Sequence, residues 1–148
     1  MYIFSRQICL LFFIIISNAL PAFTQSGSTI IFKPPYIQFG SGGGFSNTSN
    51  DYIFTSEGKL YCHKEKISGE KYDSLLKKVP EALTKEIFNY IVKEHLNTIQ
   101  FNESFNMYSY ITIHSDKTTN TIIWGNPSAK TPQTIITLNA KLRSLLVN

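Results

Sequence analysis

Met107-Tyr108-Ser109-Tyr110-Ile111-Thr112-Ile113-His114 is the stretch that decides the fold. Met107, Ser109, Ile111 and Ile113 alternate with Tyr108, Tyr110, Thr112 and His114. Successive side chains of a strand point to opposite faces, so this period of two predicts a strand with one dry face and one wetter face. A polar turn over Ser115 to Asn120 follows, then a second strand over Thr121 to Trp124, ended by Gly125-Asn126-Pro127. The pair is a predicted hairpin.

Outward from this hairpin the period changes. Downstream, Thr131 can cap and Pro132 can open a helix, whose stripe is Ile135, Leu138, Leu142 and Leu145. Upstream, behind Pro80, Leu83, Ile87, Phe88, Ile91, Val92 and His95 recur at three- and four-residue steps. That spacing is one face of a helix, with Lys85, Glu86, Asn89 and Lys93 opposite it. Position on this apolar face makes His95 a core histidine rather than a metal ligand. Further upstream, Asp51 to Thr55 and Lys59 to His63 flank Ser56-Glu57-Gly58, a hairpin whose glycine supplies the positive φ of a tight turn. Glu70 to Lys78 fits an edge strand or a loop, and its lysines suit an exposed edge. Thr29 to Phe32 is stopped by Pro34-Pro35, because proline cannot donate to a sheet ladder. Tyr36 to Phe39 is a strand running into Gly40-Ser41-Gly42-Gly43-Gly44-Phe45.

Strands, helix, strands, helix is the order of an α+β domain: an antiparallel sheet with two helices packed on one face. The order suggests a doubled ββα plan, although the halves share no alignable residue pattern.

The chain begins with a short head carrying Arg6, an unbroken apolar run from Ile8 to Ile16, and a turn-prone tail from Ser17 to Thr24. These are the parts of a cleavable secretory signal. Asn18 and Pro21 end the run well short of the roughly 20 apolar residues of a membrane span. Cleavage is expected after Ala22 or Thr24, giving residues 1–24 as signal peptide and 25–148 as a single α+β domain in the periplasm or outside the cell, with no membrane span once the signal is removed. Cys9 opens the apolar run, the wrong end for a lipid anchor, and leaves with the leader.

The 14 Lys+Arg against 10 Asp+Glu give a formal net charge of +4. The lysines are scattered rather than striped, which argues against nucleic-acid binding. After cleavage Cys62 is the one cysteine of the 2 in the chain, so no disulfide framework supports the domain and its core must.

No arrangement of residues demands a reaction. His63 follows Cys62 on a strand, so the two point to opposite faces and cannot share a metal. Asp51, Glu103 and Asp116 fall at turns or strand ends, where solvated charge is expected. There is no Gly-x-Ser-x-Gly elbow, and no Gly-Lys-Ser/Thr follows the glycine run to make a phosphate loop. No catalytic residue, metal or cofactor is expected. The glycine run is either a bulged strand end with something packed above it or a bare backbone that approaches a partner, with Phe45 as an apolar contact. Aromatic residues make up 14% of the chain. If those not in the core share one face, they form an apolar contact patch.

Phe39-Gly40-Ser41-Gly42-Gly43-Gly44-Phe45, the tyrosine-rich hairpin with Gly58, and Asn106-Met107-Tyr108 leading to Ile123-Trp124-Gly125 together resemble small uncharacterised exported proteins of the Bacteroidetes type. Those carry a Gly-Ser-Gly-Gly-Gly-Phe stretch, an Asn-x-Tyr segment and a late Trp-Gly. Here Ser104-Phe105-Asn106 stands where that set often has Pro-Gly-Asn. The chain is also similar, through its glycine-rich start and element order, to emfourin-type metalloprotease inhibitors. That resemblance implies a contact loop and assigns no residue roles.

The expectation is therefore an exported, non-catalytic, inhibitor-like binding module that contacts another exported protein or an envelope ligand. Gly42, Gly43, Gly44, Phe45, Asn106, Tyr108 and Trp124 are its candidate binding residues. The alternative is a small hydrolase with a site assembled from distant residues.

Overall fold

The computed structural model describes residues 30–43, 50–65, 69–103, 105–125 and 130–147. The expected leader over residues 1–24 lies outside these residues, as do Gly44 and Phe45 of the expected contact loop. In chain order the elements are β1 (Tyr36–Gly43), β2 (Asn50–Thr55), β3 (Lys59–Glu65), β4 (Lys71–Lys78), α1 (Glu81–Lys93), β5 (Met107–His114), β6 (Thr119–Gly125) and α2 (Gln133–Ser144). The strands form one six-stranded antiparallel sheet in the order β4-β3-β2-β1-β5-β6. The α+β reading holds, but the two halves are not copies of one ββα unit. Four strands precede α1 and two precede α2, because the chain before and after the first hairpin also pairs, as β1 and β4.

The period of two on β5 sets the dry side of the sheet. Ile111 and Ile113 are buried, and each is in register with a buried β1 residue: Ile111 with Phe39, Ile113 with Ile37. Phe54 on β2 and Leu60 on β3 continue the Ile37 row, and Ile122 on β6 continues the Phe39 row. The helices close this side with Ile87 and Ile91 from α1, Ile135, Leu138 and Leu142 from α2, and Leu145 at the C-cap of α2. Each such side chain contributes about 1.5–3 kcal/mol by leaving water. Among the described residues, the opposite face of the sheet has no helix on it.

Both helices start one residue later than the prolines suggest. Pro80 and Pro132 are the cap residues, each with extended ψ and no side-chain cap bond. Thr131 does not cap α2; its Oγ1 is buried with no hydrogen-bond partner among the described residues. The stripe on α1 is also corrected at its end. Val92 is 70% exposed, and His95 is not in the core but exposed, at φ 53. The helix stops at Lys93, the His95 N–H donates to Val92 O at 3.2 Å, and the Leu96 N–H reaches back to Ile91 O at 3.0 Å. This is a Schellman turn with His95 in the left-handed position. It rotates the chain so that Leu96, not His95, enters the core.

β4 is an edge strand, with a register shift against β3 between Leu60 and Tyr61. The other edge is covered: Ile123 on β6 donates to Phe101 O and accepts from the Glu103 N–H, both at 3.0 Å. Asn120 is not in the turn but in β6, buried on the helix side. Its Nδ2 donates to Leu96 O at 3.0 Å and Ile99 O at 2.9 Å, which ties the segment after α1 to the sheet.

Candidate binding face

The helix-free face is built on bare backbone. Gly40 and Gly42 alternate with Phe39 and Ser41 along β1, so their missing side chains would point away from the helices. β5 answers with Tyr110 opposite Gly40 and Tyr108 opposite Gly42. The Tyr108 phenol occupies the space of a Gly42 side chain: a methyl there would sit 2.8 Å from its Oη. Tyr110 reaches across Gly40 to β2, where Asp51 shares the same row, and its hydroxyl donates to Asp51 Oδ1 at 2.6 Å. Gln38 Nε2 donates to the same hydroxyl at 3.4 Å. Burial first, and then the hydrogen bond and charge of Asp51, push the Tyr110 phenol far above the tyrosine range. It stays a neutral donor.

Two further glycines adjoin this row. Gly43 takes φ +96, and a methyl on it would lie 2.0 Å from the backbone oxygen of Asn106. Gly125, in register with Tyr108, faces the Phe105 ring, which would be 2.0 Å from a methyl there. Phe105 itself is 48% exposed. Tyr108 and Phe105 thus rest on glycines of the strands either side of β5.

Among the expected binding residues, Gly42, Gly43, Asn106, Tyr108 and Trp124 are brought onto adjacent rows of three neighbouring strands and the residue before β5. They do not share one face. Trp124 is opposite Ser109 on the helix side and only 7% exposed, whereas Asn106 is exposed and Tyr108 half-buried. The space over Gly42 is taken by Tyr108, which is the packed-above reading of the glycines.

The residues that sequence reasoning missed are Gly40, Asp51, Phe105 and Tyr110 acting together. Asp51 is not a solvated carboxylate at a turn. It lies in β2, half-buried, with Tyr110 as donor. The alternation of Tyr108 and Tyr110 carried part of the signal. Nothing local in the sequence places Asp51 two strands away.

Toward the other end of this face, His114 stacks on Tyr36 with ring centroids 4.2 Å apart and 15° between planes. Burial holds the His114 imidazole below the usual histidine range. Its Nδ1 meets Thr119 Oγ1 at 3.2 Å, and its Nε2 is buried with no partner among the described residues. His63 Nδ1 lies 2.6 Å from Asp73 Oδ1 on β4, whose side chain is wholly buried. This is the carboxylate–imidazole pairing used in general-base catalysis. The neighbouring thiol of Cys62 projects to the opposite face, opposite Tyr52 and Ser74. Among the described residues, no three of His, Cys, Asp and Glu gather closely enough to hold a metal ion. No helix among them is long and apolar enough to cross a membrane. No protein-family model matches the chain, and no curated protein matches it significantly.

Proposed function

We propose that this is an exported, non-catalytic binding module that meets another exported protein or an envelope ligand with the helix-free face of its sheet. The observation that carries the reading is the pair of aromatic rings, Tyr108 and Phe105, held over Gly42 and Gly125 on a face that the helices leave open. Rings of this kind offer large contact area at small entropic cost. Gln38, Asp51, Thr112 and Thr121 border them with hydrogen-bonding groups. In this reading the glycines are the floor under the contact residues rather than the contact itself, and export rests on the leader at Ile8 to Ile16.

The experiment is affinity capture from an envelope extract. Thr112 and Thr121 face each other across β5 and β6, with their hydroxyls 3.1 Å apart on the open face. The double variant T112K/T121K puts two charges there without touching the core, and it should abolish capture. N89K, on the exposed side of α1, should not. Equal capture by both variants would refute the face. Mass spectrometry of the exported chain tests the leader, and a chain retaining Ile8 to Ile16 would refute it.

The hydrolase alternative draws on the His63–Asp73 pair. It predicts hydrolysis of an ester or peptide panel that H63A abolishes.

A further inference from the structure

Residues 30–35, ahead of β1, form a strap over the helix-free face with three anchors. The backbone N–H of Ile30 donates to Asp73 Oδ2 at 2.9 Å, so both oxygens of that buried carboxylate are engaged, the other one by His63. The Phe32 ring sits edge-on to Tyr61 at 5.0 Å and tilted to Tyr36 at 5.7 Å. Pro35 O accepts the Ser56 N–H at 3.2 Å.

Between the strap and the β2–β3 turn runs an open groove of about 490 Å³. That volume lies in the range of about 300–1,000 Å³ of small-molecule sites. Ile30, Phe32 and Tyr61 give it apolar and aromatic wall, and Lys33, Lys59 and Glu57 give it charge. Glu57 is taken by Lys59, Nζ to Oε2 at 2.6 Å. Lys33 makes no ion pair among the described residues, which leaves the groove with one net positive charge. Lys33 also feels Glu57 across the groove, but two ammonium groups face one carboxylate. An apolar wall beside that net positive charge selects a ligand with an apolar body and one negative group.

We propose that this groove binds a small amphiphilic anion, a carboxylate with an aromatic or short aliphatic body. The body packs against Phe32 and Tyr61, and the carboxylate lies at Lys33. The site is at the Tyr36 end of β1, away from the Gly42–Tyr108 row, and does not rest on the partner-binding reading.

The test titrates ¹⁵N-labelled protein with 4-phenylbutyrate and with 4-phenylbutanol, which has the same body and no charge. Phenylbutyrate should give saturable shifts centred on the amides of Phe32, Lys33, Glu57 and Tyr61, and should bind more tightly than the alcohol. Lys33→Gln should weaken the acid about tenfold, the loss of one charge-assisted contact, and leave the alcohol unchanged. Glu57→Gln removes the repelling carboxylate and should strengthen the acid several-fold. Lys33 and Glu57 are both exposed, so neither change should alter the melt. Equal affinity for acid and alcohol, an unaffected Lys33→Gln, a weakened Glu57→Gln, or shifts scattered away from the groove would overturn the proposal.

Discussion

A single methyl placed at Gly42, Gly43 or Gly69 separates three costs that one glycine-rich sequence conceals. Gly69 has φ +82 and nothing within 4 Å of the added carbon. Gly69→Ala therefore measures left-handed strain alone, about 1 kcal/mol. Gly43 carries the same strain at φ +96 and adds a collision, since its methyl would lie 2.0 Å from the Asn106 oxygen and 2.9 Å from the carbonyl carbon. Both atoms are backbone, so relief requires β1 and the chain entering β5 to part. Overpacking of that kind costs about 1–3 kcal/mol, and Gly43→Ala should lose about 2–4 kcal/mol in all. Gly42 has no positive φ, and the nearest atom to its methyl is the Tyr108 hydroxyl at 2.8 Å, the far end of a rotatable side chain. There, the gain from replacing a strand glycine, roughly 0.5–1 kcal/mol, offsets the displaced phenol, and the net change should be near zero. Urea melts at constant m-value read the three differences directly, and for a domain of this size the Gly43 variant should melt roughly 10 °C lower. A Gly43→Ala protein no less stable than Gly69→Ala would refute the close approach to Asn106. A Gly42→Ala loss as large as that at Gly43 would mean that Tyr108 is locked in place.

Leu142→Ala should cost about 2–5 kcal/mol because the side chain is fully buried between helix and sheet. Lys141→Ala removes the surface pair with Glu86 and the ammonium's contact with the Tyr90 ring, and should cost about 1 kcal/mol in the same melts. His95→Gly should stabilise the protein by up to about 1 kcal/mol, since glycine suits the left-handed position after α1 without strain; a destabilised variant would show that the imidazole makes a needed contact. Asn120→Ala strands the carbonyls of Leu96 and Ile99 and should cost about 2–4 kcal/mol, with faster amide exchange across residues 96–101 as the local signature. For His114, the folded chain resists a proton that the unfolded chain accepts. Stability should accordingly fall as the pH drops through about 6.5, and His114→Gln should flatten that limb of the urea-melt profile.

Hairpins, helices and their dry sides were legible because each is a local period. Ile111 and Ile113 alternate over a few residues, Ile135, Leu138 and Leu142 recur at helical steps, and all five are buried as their spacing requires. The limits of that reading appear where the chain changes direction. At His95, a left-handed turn breaks the helical phase and Leu96 takes the buried place. At Asn120, a turn shorter than expected draws a polar side chain into the strand and the core.

Strand order was a different kind of question. Periodicity says which side of its own strand a residue faces; it carries no record of which distant strand lies alongside, or in what register. Only the assembled sheet sets β1 between β2 and β5, and with it the row in which Tyr110 crosses Gly40 to reach Asp51. The same holds for Tyr108 over Gly42, for His63 against Asp73, and for the strap that joins Ile30 to β4. Element type and the buried stripe within each element were legible from sequence, except at ends such as Val92, His95 and Asn120, because they depend on neighbours a few positions away. Which side chains meet on the helix-free face was left to the tertiary structure, because those meetings depend on pairings between residues as far apart in the chain as Tyr36 and His114.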